Sequence, residues 1–241
     1  EVARTPASLG KPLAAKTAPV KASGADPELL AKARLNWAMS QASSGAYPKR
    51  ATNLGVRQPN ARDNLWQASQ DFLDQYGREI FKVDPSQLKV GAIRPGGGNN
   101  GLMKIVYEQE FDGVPVINSR LALFYNYDGT LFEVQSNIVP SGQPVSTVPP
   151  IGSGEAAQLA FGIIQSHYQK QGVAVPAEIT VESLVEKSLY ALYLDELGAL
   201  TPVYQYILLL PGLTGALSGE REIVVDASLR QVTIDRRTSR N

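Results

Sequence analysis

Between Met103 and Asn137 apolar and polar residues alternate with a period of two. Ile105, Tyr107, Gln109 and Phe111 fall on one face of a strand, and Lys104, Glu108 and Glu110 on the other. Further on, Leu121, Leu123 and Tyr125 oppose Arg120, Ala122 and Phe124. Asp112-Gly113 and Asn126-Tyr127-Asp128-Gly129 separate these runs, and their glycines tolerate the positive φ of a tight hairpin. The pattern predicts a three-stranded antiparallel meander: 103–111, then 114–116 with 119–125, then 130–137.

Helical spacing appears on both sides of it. Leu29, Leu30, Ala33, Trp37 and Ala38 form a stripe opened by Asp26-Pro27 and ending near Ser43. Leu65, Ala68, Phe72, Leu73, Tyr76 and Ile80 recur at three and four, predicting a helix from a cap at Asn60 or Asp63 to about Ile80, weakened at Gly77. Residues 45–61 read as irregular. Pro85 opens a short element, and Gln87 to Arg94 a strand. Pro140, Pro144, Pro149 and Pro150 mark a linker and a boundary. Ser153 is the expected cap of a third helix, Ala156 to about Gln171, with Ala160, Ile163, Ile164 and His167 on its buried side. Strands are expected at 179–182, 188–194, 204–210, 221–225 and 231–235. Helix followed by sheet thus occurs twice, which gives an α+β class. The expected division is an arm and first helix over 1–62, lobes at 63–140 and 151–237, and a tail at 238–241.

Bulk properties narrow the possibilities. Of 241 residues 43% are hydrophobic, enough for a real core, and the absence of cysteine removes disulfides and thiolate metal sites. No apolar run reaches the roughly 20 residues of a membrane helix, so no membrane span is expected. The start lacks a charged stretch followed by an apolar one, so any signal peptide is expected to be already removed or never to have been there. Net charge is zero but unevenly spread: residues 1–62 hold 10 Lys+Arg against 3 Asp+Glu, the remainder 13 against 20. The cations of the first part are scattered among Ala and Pro without aromatic interleaving, which argues against nucleic acid as a partner. Residues 1–25 read as an extended or disordered arm.

Candidate chemistry is sparse. Gly96-Gly97-Gly98-Asn99-Asn100-Gly101 satisfies G-x-G-x-x-G, but a strand follows where a nucleotide site needs a helix N-terminus. Glu108, Glu110 and Asp112 suit a solvated strand face better than a cation site. Asn126-x-Asp128-Gly129 lacks the later ligands of a calcium loop. His167 is the one histidine, H-E-x-x-H and G-x-S-x-G are absent, and no serine sits in an activating context, so catalysis by this chain is not expected. Tyr190, Tyr193, Tyr204 and Tyr206 suit either sheet packing or a binding face. The tail from Asp235 to Asn241 is polar, basic and expected to fray.

Tyr107…Phe111-Asp112-Gly113-Val114-Pro115-Val116, followed by Leu121…Asp128-Gly129…Val134, resembles the propeptide motif of fungalysin- and thermolysin-type metalloproteases. There a Y-x-G-V-P-V-x-x-x-x-L core precedes a D-x-D-G-x-V hairpin. Glu155-Ala156-Ala157…Ala160, Leu189-Tyr190…Tyr193-Leu194 and Arg221-Glu222-Ile223-Val224-Val225-Asp226-Ala227-Ser228…Val232 resemble the PepSY-like half of the same prosegments. Leu229 stands where that family usually has Gly, and Val203-Tyr204-Gln205-Tyr206 replaces its usual Trp-Arg pair. The resemblance spans roughly residues 65–237. It implies two cystatin-like lobes, each a helix on an antiparallel sheet, preceded by an extended arm and a helix. It also implies a secreted, non-catalytic prosegment without a cofactor, whose partner is a zinc metalloprotease catalytic domain that it helps to fold and keeps inactive. Arg236, Arg237, Thr238, Ser239 and Arg240 would then face the protease as the processing tail. The other expectation is a free-standing protein-binding module of a secreted or cell-surface protein; an enzyme with an unrecognised site comes third.

Overall fold

The computed structural model describes Ala31 and residues 49–58, 60–94, 102–142 and 144–238. Among them run, in chain order, β1 (Lys49–Arg57), α1 (Leu65–Tyr76), β2 (Leu88–Arg94), β3 (Met103–Phe111), β4 (Val114–Tyr125), β5 (Thr130–Asn137), α2 (Ser153–Lys170), α3 (Val181–Lys187), β6 (Leu189–Leu194), β7 (Leu200–Leu209), β8 (Glu220–Asp226) and β9 (Gln231–Arg237). The fold is α+β. Among the described residues nine strands make one mixed, mostly antiparallel sheet that does not close. The expected arm over 1–25, nearly all of the expected helix to Ser43, and Gly96 to Gly101 lie outside the described residues.

The meander forms as its alternation requires, with Ile105 opposite Leu123 and Tyr107 opposite Leu121. Helix α1 lies across it and buries Leu65, Ala68, Phe72, Leu73 and Tyr76 against Ile105, Tyr107, Leu121, Leu123 and Tyr125. Its cap is Asn64 rather than Asn60 or Asp63: the Asn64 Oδ1 accepts from the Gln67 N–H at 3.1 Å. Gly77 does not end the element. The chain widens there into one π turn, Gly77–Phe81, which brings Ile80 and Phe81 into the same core before Lys82 stops it in the left-handed region.

In the second half α2 sits on β7 and β8. Ala156, Ala157 and Ala160 let it approach closely, and Ile164 and Tyr168 fill the space over Tyr204, Tyr206, Leu208, Ile223 and Val225. Ser153 is not its cap; it lies in the first turn, behind Gly152, which has no side chain to cap with. The strand expected at 179–182 is instead the start of α3. Thr180 and Ser183 form a reciprocal capping box, and Leu184 is the buried residue of the turn that follows.

Two further expectations change. Residues 45–61 are not irregular throughout, since β1 pairs antiparallel with β5, Lys49 opposite Ser136 and Arg57 opposite Thr130. Nor does the chain fray from Asp235: β9 runs to Arg237, and the Thr238 N–H donates to the Glu220 carbonyl at 2.9 Å.

Strand β4 joins the halves. One of its edges pairs with β3; the other pairs with β5 from Arg120 onward and, in parallel, with β6 at Val116 and Ile117. The partner changes at Asn118, whose φ of 66° breaks the strand's regular course and whose carbonyl accepts from the Asn137 side-chain amide. Phe111, Val116, Val139, Leu192 and Leu194 fill the seam between halves. Alternation along β3 and β6 puts that seam on the face that carries α1 and α2. The opposite face has a smaller cluster of Ala191, Val203 and Val224 with Ile117, Tyr193 and Ile234.

Candidate functional site

The motif residues of the first half turn out to shape turns and the joint. Asp112 and Gly113 both have positive φ, 48° and 83°, which makes the β3–β4 connection a tight primed hairpin. Val114 lies opposite Phe111 and Pro115 opposite Glu110, so β4 starts out paired with β3. Val116 is buried in the seam, beside Leu192 on β6. Tyr107 lies wholly inside the first core, next to Tyr125, whose hydroxyl accepts from the Ser69 hydroxyl at 3.1 Å. Burial pushes both phenols far above their ordinary range. Asp128 accepts from the Thr130 N–H at 2.9 Å, which holds its carboxyl below the usual range. Gly129, at φ 85°, donates to the Asn126 carbonyl, and its own carbonyl accepts from the Gln58 N–H at 2.9 Å.

Those of the second half do similar work. Asp226 Oδ1 accepts from the N–H groups of Ser228 and Leu229, both at 2.8 Å, and the Ala227 N–H donates to the Pro202 carbonyl at 2.9 Å. Leu229 does not take the left-handed conformation. That falls to Arg230, φ 55°, so the turn position that calls for glycine is one residue later than the sequence suggests.

At the far end of β9 charges interlock. Ile223 pairs with Asp235, which brings Asp235 to the helix-bearing face. There its Oδ2 lies 2.7 Å from His167 Nε2, a close contact that does not meet hydrogen-bond geometry. Its Oδ1 accepts from Arg221 Nε at 2.8 Å, and Arg221 Nη1 donates to the Ala216 carbonyl. On the opposite face Arg236 Nε donates to Glu222 Oε2 at 2.7 Å, and Gln205 Nε2 to Glu222 Oε1. Arg236 and Arg237 are therefore strand residues, Thr238 is tied to Glu220, and Ser239 and Arg240 lie outside the described residues.

Other candidates do not converge. Lys89 Nζ lies 2.5 Å from Glu110 across β2 and β3, and Asp112 belongs to the hairpin turn. Among the described residues no group of three His, Asp or Glu side chains has the arrangement of a metal site. Tyr190, Tyr204 and Tyr206 share the helix-bearing face; the first two rings are 5.4 Å apart, and burial raises all three phenols. Tyr193 faces the other way, into an open polar cavity of about 370 Å³ at the fork of the sheet, where Asp195 and Glu196 meet Arg120 and Arg236, with Asn118 and Asn137 beside them. Sequence reasoning missed the meeting of His167, Arg221 and Asp235, because it depends on the register of β9 on β8. The chain matches no known protein family and no curated protein.

Proposed function

We propose that this chain is a non-catalytic prosegment that assists the folding of a secreted thermolysin- or fungalysin-like zinc metalloprotease and inhibits it. Its two halves correspond on this reading to two cystatin-like lobes, 63–140 and 151–237. The observation that carries the proposal is the placement of the resembling residues. Asp112-Gly113, Asp128-Gly129 and Asp226-Ala227 make hairpin turns, Val116 lies in the joint, and Ala156, Ala157 and Ala160 make the close helix–sheet contact. Such a role needs no reactive group. A surface that binds the native protease lowers that state's free energy by mass action, and it inhibits wherever it covers the cleft. Cleavage beyond β9 then turns an intramolecular partner into a dilute one.

The test titrates the purified chain into thermolysin-like proteases and into their refolding mixtures, reading residual activity and recovered activity. Neither inhibition nor improved recovery relative to an inert protein would sink the proposal. Because β9 is intact to Arg237, the informative truncation removes only 239–241. It should weaken inhibition while recovered activity on refolding stays as with the full chain.

A second reading, a free-standing binding module, draws on Ile207 and Leu209, which stand exposed on the helix-free face of β7 on either side of buried Leu208. Capture of a non-protease partner, with no effect on protease activity, would favour it.

A further inference from the structure

The β6–β7 turn (195–199) and the β8–β9 turn (227–230) lie side by side at one end of the second half. Each presents a leucine to solvent, Leu197 at 86% exposure and Leu229 at 64%, and Val148 beside them is 74% exposed. Between them opens an apolar cavity of about 260 Å³, with Pro144, Pro150, Leu192, Leu200 and Pro202 in its wall and Ser228 at its lip. Ligand pockets for drug-sized molecules span about 300–1,000 Å³, whereas a hole of about 150 Å³ already accepts a benzene ring. This cavity suits one or two aliphatic side chains.

We infer that this end of the molecule is a self-association surface, on which Leu197 of each copy enters the apolar cavity of the other. Knob and hole are neighbours: Leu197 belongs to the turn that leads into Leu200, so a two-fold axis between them satisfies both exchanges at once. The knob is held in place beforehand. Asp195 Oδ1 accepts from the N–H groups of Leu197 and Ala199, both at 2.8 Å, so presenting Leu197 costs little further ordering. Charge agrees as well. One turn carries Asp195 and the exposed Glu196, which border the cavity at the sheet's fork together with Arg120 and Arg236; the other carries Arg230, which is mostly exposed and whose contact to Glu155 is a long surface one of 3.4 Å. Two-fold pairing that sets one turn against the other brings opposite charges together. The acidic turn disfavours an anionic lipid surface at the same place. The inference does not depend on the prosegment proposal.

Sedimentation velocity over a concentration series tests it. A patch this small belongs to the weak class of interfaces, so a dimer should form with Kd on the order of 10–100 µM. Leu197→Asp should weaken it at least tenfold while leaving the thermal unfolding curve unchanged, since the side chain touches little in the monomer. Arg230→Glu should also weaken it, and adding Glu196→Arg to that variant should restore it, which a nonspecific apolar contact would not do. The inference fails if the chain stays monomeric to about 1 mM, tenfold above that range. It fails equally if the dimer ignores both Leu197→Asp and the charge exchange, or if the end binds lipid vesicles while the protein remains monomeric.

Discussion

Two backbone positions show how much a single residue decides here. A Cβ added to Gly129 would lie 2.4 Å from the Gln58 carbonyl oxygen, and φ there is 85°, so both space and conformation exclude a side chain. Gly129→Ala must displace the end of β1 from the hairpin. A loss of about 2–4 kcal/mol in urea unfolding is expected, from overpacking plus left-handed strain. Arg230 is the reverse case. It carries a side chain in the left-handed region, with a surface ion pair that contributes little. Arg230→Gly removes a conformational penalty of about 1–2 kcal/mol and adds unfolded-state entropy worth about 0.5–1 kcal/mol, so a gain of about 0.5–1 kcal/mol is expected in dilute solution. Unfolding midpoints that move in the opposite directions would refute both assignments.

Among elements, the Pro-rich connection is tied down at its start by one buried amide. Gln109 Nε2 donates to the Val139 carbonyl at 2.8 Å, while its Oε1 accepts from the Val139 N–H at 2.9 Å and from the Ser119 hydroxyl at 3.0 Å. Gln109→Leu keeps roughly the volume but orphans three buried polar groups. At about 1–3 kcal/mol for each orphan, offset by relaxation, a net loss near 3 kcal/mol is expected by urea unfolding. Alternation placed Gln109 on the buried face of β3 without disclosing this use. Period-two patterning with Asp-Gly turns was enough to read the meander, and three-four spacing was enough for the core face of α1. Lys49–Arg57 escaped because it lacks alternation; only the free edge of β5 makes it a strand. Residues 179–182 looked like a strand because Ile179 and Val181 alternate, yet the hydroxyls of Thr180 and Ser183 decide for a helix. The contact between His167 and Asp235 follows from pairing of β8 with β9, and no local pattern encodes that register.

At the scale of the whole molecule, the question is whether residue 150 separates two independent units or the seam makes them one. Burying a large apolar side chain stabilises by about 1.5–3 kcal/mol. The five side chains of the seam therefore contribute on the order of 10 kcal/mol, and about half of that if part arises within each half. That is comparable to the 5–15 kcal/mol stability of an entire domain. Loss of either half would also expose Val116 and Leu192, leaving the survivor with an apolar edge. Coupling should win, and the chain should unfold in one transition. Trp66 sits on α1, so with Trp37 replaced by Phe tryptophan fluorescence follows the first half, whereas far-UV circular dichroism follows both. Ile164 is wholly buried under α2 in the second half. Ile164→Ala should cost about 2–5 kcal/mol, and the tryptophan-monitored midpoint in urea should fall as far as the circular-dichroism midpoint. A fluorescence transition left where it was, with a second transition appearing below it by circular dichroism, would mean that β4 joins two separately folding units and that the seam is too weak to bind them.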